Sequence, residues 1–596
     1  MFPPLIPHRP TVRLTLTAFL TLPLFAACSS HSPSPELRAA EASRLVGEGR
    51  KLLDEKRPAD AQVLFEQAVA LDDGLTQRTW LLRSWMDQGR SNDTLDQLDA
   101  LQHAGETGTA LTYLYGMAFA RRADTLLADN VQDSSLQMNL LDATTFLKKA
   151  LDADAASYPD AYPALARAAW LTQDLELSRW AADHAVAAYP DDPAAWVTRG
   201  RSCMGRFLEL READPATADA AWEEAVTSLA NAVRLFGAPT KPSDVAALTN
   251  AATELGNAYL WKEKAALATD AYATAAAWSP DAFAYDQARQ GLAAAPAAES
   301  DTPVGFRAAL EEAAKRIEAR GAADDPRTST LFWWLGYARF AEADWEGSET
   351  GFTQALARRP DIANAWFYIA LGRQYRHDSA GALAAIHTGW DIDPVAMVTA
   401  TAAASGSLRG YEDLIGWCAE QTQNLEAAFL AEIMAQAFPG EPRHWNNLGL
   451  FLRDEGERLE IAAYKNKTPE PEEALLADLY GRAFAAYERA LALNPDDPQL
   501  LNDTALMLHY HLGRDLDRAE AMYRRAIELA AARLAEAGLS EYDRARFERS
   551  HKEATDNLDY LLHPEKLEAK DEEATEATPT PPTDGATAEA KSESQG

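Results

Sequence analysis

Small, aromatic and proline residues recur along this chain in one fixed order. Gly256, Ala268, Tyr272, Ala275 and Pro280 follow one another at gaps of 12, 4, 3 and 5 residues. Gly336, Ser348, Phe352, Ala355 and Pro360 keep those gaps, as do Ala370, Ala382, Ile386, Gly389 and Pro394. The last two sets are in tandem: Phe332 and Trp366, Phe352 and Ile386, and Pro360 and Pro394 each stand 34 residues apart. Phe332, Leu335 and Gly336 share one face at helical spacing, and the small residue lets a second helix come close. Ser348, Phe352 and Ala355 form the answering stripe, and the proline ends the unit because it cannot continue a helix. The pattern predicts pairs of antiparallel helices that must stack, since neither helix can bury its face alone. No sustained period-two apolar run argues for strands. The expected fold is all-α.

Further copies are read at Gly49, Ala61, Phe65 and Ala68, with Asp73 in place of the closing proline, and at Ala505, Ala519, Tyr523 and Ala526. The second of these has a turn two residues longer than usual. Two copies are split. Trp196 and Gly200 resume at Ala225, Leu229 and Ala232, and Trp445, Leu448 and Gly449 resume at Ala483, Tyr487, Ala490 and Pro495. The inserted residues, 204–222 and 453–480, are rich in Glu, Ala and Leu and read as extra helix and loop. A unit of 34 residues with this order resembles the tetratricopeptide repeat. That resemblance implies helix-turn-helix units stacked into a right-handed superhelical solenoid, in one or two blocks. The expected organisation is an N-terminal array over 37–290, a linker over 291–303 rich in Ala, Pro and Ser, and a C-terminal array over 304–563 with an insertion near 453–480. From 564 to 596 apolar residues nearly vanish, which predicts a disordered acidic tail.

The start of the chain is different. A mildly basic stretch with Arg9 and Arg13 precedes the apolar run Leu14–Ala27, which Pro23 interrupts and which ends at Cys28. The run is short of the ~20 residues a spanning helix needs. Basic, then apolar, then small is the order of a signal peptide. Phe25-Ala26-Ala27-Cys28 resembles the lipobox of bacterial lipoproteins, although that family usually has Leu where Phe25 stands. The resemblance implies a signal peptide over 1–27, a lipid on Cys28, and a flexible tether over 28–36. Ser29, rather than Asp, after the cysteine implies the outer membrane, facing the periplasm.

Composition narrows the chemistry. Lys and Arg number 56 against 91 Asp and Glu, a net charge of −35. Nucleic acid is therefore not an expected partner, because its binding rests on neutralising phosphates. Three cysteines are too few for a disulfide scaffold. Cys203 and Cys418 lie several repeats apart and are expected to be buried free thiols. His509 and His511 stand two residues apart, on different sides of a helix, and cannot easily share a metal. Asp391 and Asp393 at a repeat end are expected to organise the turn and cap the next helix. No metalloprotease, phosphate-loop or nucleophile-elbow motif is present. No enzyme activity, cofactor or metal is expected.

The candidate binding residues lie on the first helices of the tandem pair. Trp333, Tyr337 and Phe340 form a second apolar stripe beside the core stripe, and Phe367, Leu371 and Tyr375 repeat it one unit later. By resemblance to the family, that face lines the concave groove, where a protein or peptide partner docks. The alternative is that neighbouring first helices touch there, so that the stripe is packing. Where the family often places Asn to grip a peptide backbone, this chain has Trp334 and Tyr368, which points to a hydrophobic groove; Asn447 keeps the family residue. Two functions stay open: an envelope scaffold or adaptor for protein partners, or a subunit of an assembly, secretion or polysaccharide-handling system with its site in an insertion or between the blocks.

Overall fold

The Gly–aromatic pairs read from the sequence are the points where helices meet. In the computed structural model, which describes residues 34–131, 133–293, 304–404 and 408–566, a Cβ added at Gly256 would come within 3.0 Å of the Tyr272 ring. The same holds for Gly336 with Phe352 and for Gly449 with Tyr487. Gly336 and Gly351 go further, since a Cβ on Gly351 would lie 2.6 Å from the Gly336 backbone. Each pair is closed by a large ring resting on a residue with no side chain.

All regular elements among the described residues are helical, and the chain divides into two compact units, residues 1–235 and 236–596. The first contains α1 (Pro35–Asp54), α2 (Pro58–Leu71), α3 (Leu75–Asp87), α4 (Ser91–His103), α5 (Thr109–Ala128), α6 (Ser134–Asp154), α7 (Ala161–Leu171), α8 (Leu175–Ala188) and α9 (Pro193–Leu210), with α10 (Pro215–Phe236) at its end. The second contains α11 (Pro242–Leu260), α12 (Ala265–Trp278), α13 (Tyr285–Ala293), α14 (Phe306–Ala319), α15 (Ser329–Ala341), α16 (Trp345–Arg358), α17 (Ala363–Tyr375) and α18 (Ser379–Ile392). It continues with α19 (Pro394–Ala403), α20 (Arg409–Glu420), α21 (Asn424–Ala437), α22 (Pro442–Asn466), α23 (Glu473–Leu493), α24 (Pro498–Leu506), α25 (Leu516–Leu534) and α26 (Glu541–Leu562). Within each unit, helices adjacent in sequence pack on one another, as α5 does on α6, α15 on α16 and α22 on α23.

The punctuation is chemical. Proline opens α9, α11, α19, α22 and α24, where its missing N–H costs nothing. Asp344 and Asp378 cap α16 and α18 by accepting from the Gly347 and Gly381 amides at 3.0 and 2.9 Å. Asp393 accepts from Val395 and Ala396 and caps α19, as its place at a repeat end implied. The indole N–H groups of Trp196 and Trp445 donate to the carbonyls of Pro190 and Pro439, so the repeat's aromatic also ties down the preceding turn.

In six of the turns between paired helices the left-handed residue is not glycine: Lys56, Gln173, Glu263, Ala343, His377 and Thr422 all have φ between 53 and 64°. A Cβ in that region costs roughly 1 kcal/mol. Ala343→Gly is therefore expected to raise the unfolding free energy by about 0.5–1 kcal/mol, read as a higher urea midpoint. An unchanged or lower midpoint would show that the turn carries no strain.

Two boundaries differ from expectation. Helix α1 begins at Pro35, inside the expected tether, because the Ser34 hydroxyl caps it by accepting from the Leu37 amide at 3.3 Å. The expected linker falls largely on 294–303, outside the described residues, but the helices on either side of it belong to one unit. Helices α12 and α14 pack directly, with Gly305 donating to the Thr269 hydroxyl and Arg316 to the Thr274 hydroxyl. The two insertions are helix extensions. Helix α22 runs 25 residues and α23 21, and Tyr480 seats on Gly456 to continue the same packing beyond the repeat. Phe207, Ala218 and Ala221 do this for α9 and α10. The long turn expected after Ala505 is partly taken up inside the helix, as a π-helical turn over Met507–His511.

Candidate functional site

The first helix of each tandem repeat must bury two stripes, one against its own partner helix and one against its neighbours. On α15 and α17 the second stripe divides. Phe367 and Leu371 are 0% and 1% exposed and Phe340 is 8% exposed, so these three belong to the inter-repeat core and offer no surface. The physical reason is the position of α17, which is packed on α16, α18, α19 and α20; the Phe367 ring stacks 6.2 Å from Tyr411 on α20. Trp333, Tyr337 and Tyr375 are half-buried.

Two residues outside the candidate stripe join them. Trp334 and Tyr368, which occupy the positions where the resembled family often has Asn, are also half-buried. Trp333 and Tyr337 lie nearly parallel, 5.7 Å apart, and Tyr368 meets both edge-on at 5.8 and 5.5 Å. Trp334 stacks on Tyr285 at 5.5 Å and meets Phe306 edge-on. The Trp333 indole donates to Asn364 at 3.1 Å, which fixes its orientation across the two repeats. Burial pushes the Tyr368 hydroxyl up to about 12, so it remains a neutral donor at ordinary pH. The result is a continuous aromatic band across α13, α15 and α17. The aromatic replacements at Trp334 and Tyr368 were the sequence signal for it.

Charged groups at this site are locked in pairs. Arg307 bridges Glu311 and Glu342 at 2.9 and 2.8 Å, and Arg339 reaches Glu311 at 3.1 Å. One repeat later Arg373 holds Glu349 at 2.6 Å, joined by Arg376. Arg339 and Arg373 also donate to the Gly347 and Gly381 carbonyls at 3.1 and 3.0 Å, tying each helix to the start of its partner.

The other candidate chemistry is structural. Cys203 and Cys418 are buried free thiols, pushed by burial up to about 12 and about 11, and so are protonated. His509 lies 3.4 Å from the Tyr523 hydroxyl, whereas His511 stacks on Tyr480 at 4.3 Å and reaches Glu457 at 3.2 Å. They serve different partners. Among the described residues no group of three or more His, Cys, Asp or Glu is placed to hold a metal ion. An open depression of about 450 Å³ along the α22 extension is lined by Asp454, Glu457 and Arg458. Beside it Arg453 pairs with Asp454 and Glu457, and Arg458 with Glu455. No described helix is long and apolar enough to cross a membrane. Cys28 lies outside the described residues.

No protein-family model matches the chain, and no curated protein sequence matches it. Solved structures similar to it include yeast Tom70 (13% identity, 89% of this chain and 99% of that one, TM-score 0.21). Others are pilF of Pseudomonas aeruginosa (19% identity, 43% and 99%, TM-score 0.19) and the P58(IPK) TPR domain (14% identity, 74% and 98%, TM-score 0.17). At such identities and TM-scores these likenesses carry no functional argument. The fold rests on the helix pairing itself.

Proposed function

We propose that this chain is an interaction scaffold that holds a protein or peptide partner against the aromatic band of α15 and α17. The observation that carries this reading is the cluster of half-buried rings at Trp333, Trp334, Tyr337 and Tyr368. Rings left partly in water beside a fixed framework are what partner segments anchor on. The band is tested by placing a photo-crosslinking phenylalanine analogue at position 337 or at Thr350, an exposed position on α16. A recurrent adduct from 337 and none from 350 is expected. Equal labelling at both, or none at 337, would sink the reading.

The scaffold is held in the cell envelope by a lipid on Cys28, at the outer membrane and facing the periplasm. Support comes from the short apolar run and the Phe25-Ala26-Ala27-Cys28 sequence that ends it. Two acyl chains or more give stable anchoring where one does not, so the chain is expected to partition into the detergent phase in Triton X-114. Cys28→Ser should move it to the aqueous phase or leave the leader uncut. Unchanged partitioning with unchanged gel mobility would remove the anchor from the reading.

A further inference from the structure

At several other rings of the molecule a cation of the chain lies over the ring face. Arg50 lies over Trp80 at 4.7 Å, Arg90 over Trp85 at 4.2 Å, Lys148 over Trp180 at 5.0 Å, Arg320 over Trp278 at 4.0 Å and Arg489 over Trp445 at 6.0 Å. Arg358 lies over Phe332, on the same helix as the band, at 4.1 Å. Among the described residues, no Arg or Lys lies over Trp333, Trp334, Tyr337 or Tyr368. Arg307, Arg339, Arg373 and Arg376 are each held by Glu311, Glu342 or Glu349.

The rings of the band carry negative faces that attract cations, and the whole chain has a net charge of −35, which steers positive partners in and repels negative ones. We propose that the aromatic band is a docking site for an Arg- or Lys-bearing segment of a partner protein, whose side-chain cations take the position over these rings that the chain's own cations take elsewhere. This rests on the scaffold reading above and adds the partner's chemistry. Arginine should outbind lysine, because its flat guanidinium stacks on rings as well as being attracted to them.

The test uses the full chain and short fluorescein-labelled peptides of repeating Xaa-Ala-Leu, with Xaa as Arg, Lys, Ser or Glu. Fluorescence anisotropy is expected to rank Arg above Lys, with Ser and Glu weaker by about ten-fold or more. Tyr337→Leu should weaken the Arg peptide about five-fold, whereas Tyr337→Phe, which keeps the ring, should retain it. Melting followed by circular dichroism on the same samples shows that both variants are folded. Equal binding of all four peptides, lost together in Tyr337→Leu, would overturn the cationic proposal and leave an apolar groove. Binding of the Arg peptide that neither Tyr337→Leu nor Trp333→Leu changes would also overturn it, since the cation would then sit on carboxylates elsewhere. Failure of every peptide while position 337 still crosslinks a partner would defeat this proposal alone; failure of both would defeat the scaffold reading as well.

Discussion

Phe367→Ala should lower the unfolding free energy of the chain by about 3–5 kcal/mol, the usual loss for emptying an aromatic site in a closed core. The ring is 0% exposed. It stacks against Tyr411 at 6.2 Å, meets Tyr368 edge-on at 5.4 Å, and belongs to a cluster with Leu371, Ile386, Met397 and Leu414. Helices on several sides hold those neighbours, so the site cannot collapse to fill the gap. Urea unfolding followed by circular dichroism is the measurement, with Tyr337→Leu as the contrast. The half-buried Tyr337 should cost roughly 1–2 kcal/mol because part of its area is already in water. Any partner should still be bound by the folded fraction of Phe367→Ala. A stability loss below about 1 kcal/mol, accompanied by lost partner binding, would return Phe367 to the binding surface.

The contrast between Phe367 and Tyr368 marks where the sequence stopped being legible. Periodicity shows which residues share a helix face: Gly336 meets Phe352, and Phe332 and Leu335 are buried. It does not show which of two apolar faces a neighbouring helix covers, because that depends on how α19 and α20 pack on α17. Phe340, Phe367 and Leu371 were thus readable as groove or as packing, and the packing of α17 decided for packing. Caps and stops were legible because they act locally: Asp393 needs only the amides two and three residues on. The left-handed turns were hidden because Ala343 and His377 are not the residues such a conformation prefers. The π-helical turn at Met507–His511 was visible only as two surplus residues, which a helix or a turn could have absorbed.

Asp503→Asn should stabilise the chain at neutral pH and abolish part of its pH dependence. Burial at the meeting of α22, α23, α24, α25 and α26 pushes the Asp503 carboxyl from 3.8 up to about 6. Gln499 and Asn502 donate to it at 2.9 and 3.2 Å. Arg453 on α22 favours its charge and Glu553 on α26 opposes it, while Tyr487 on α23 and Tyr523 on α25 face it as neutral groups. These favourable contacts only partly offset the lost hydration. Between about pH 4 and pH 6 the native state therefore binds more protons here than the unfolded chain, and stability falls as pH rises. Below that window both states are protonated and the penalty is absent; above it the penalty is complete, on the order of 2–3 kcal/mol. Asn keeps the acceptor for Gln499 and Asn502 and carries no charge. Arg453 is not stranded by the change, because Asp454 and Glu457 lie at 2.7 and 3.4 Å. The variant should match the parent near pH 4 and exceed it by on the order of 2–3 kcal/mol above pH 6.5. Subtracting urea midpoints at each pH removes the contribution of every other carboxylate. A variant less stable than the parent at pH 7 would mean that the attraction between Asp503 and Arg453 outweighs the burial of the carboxylate.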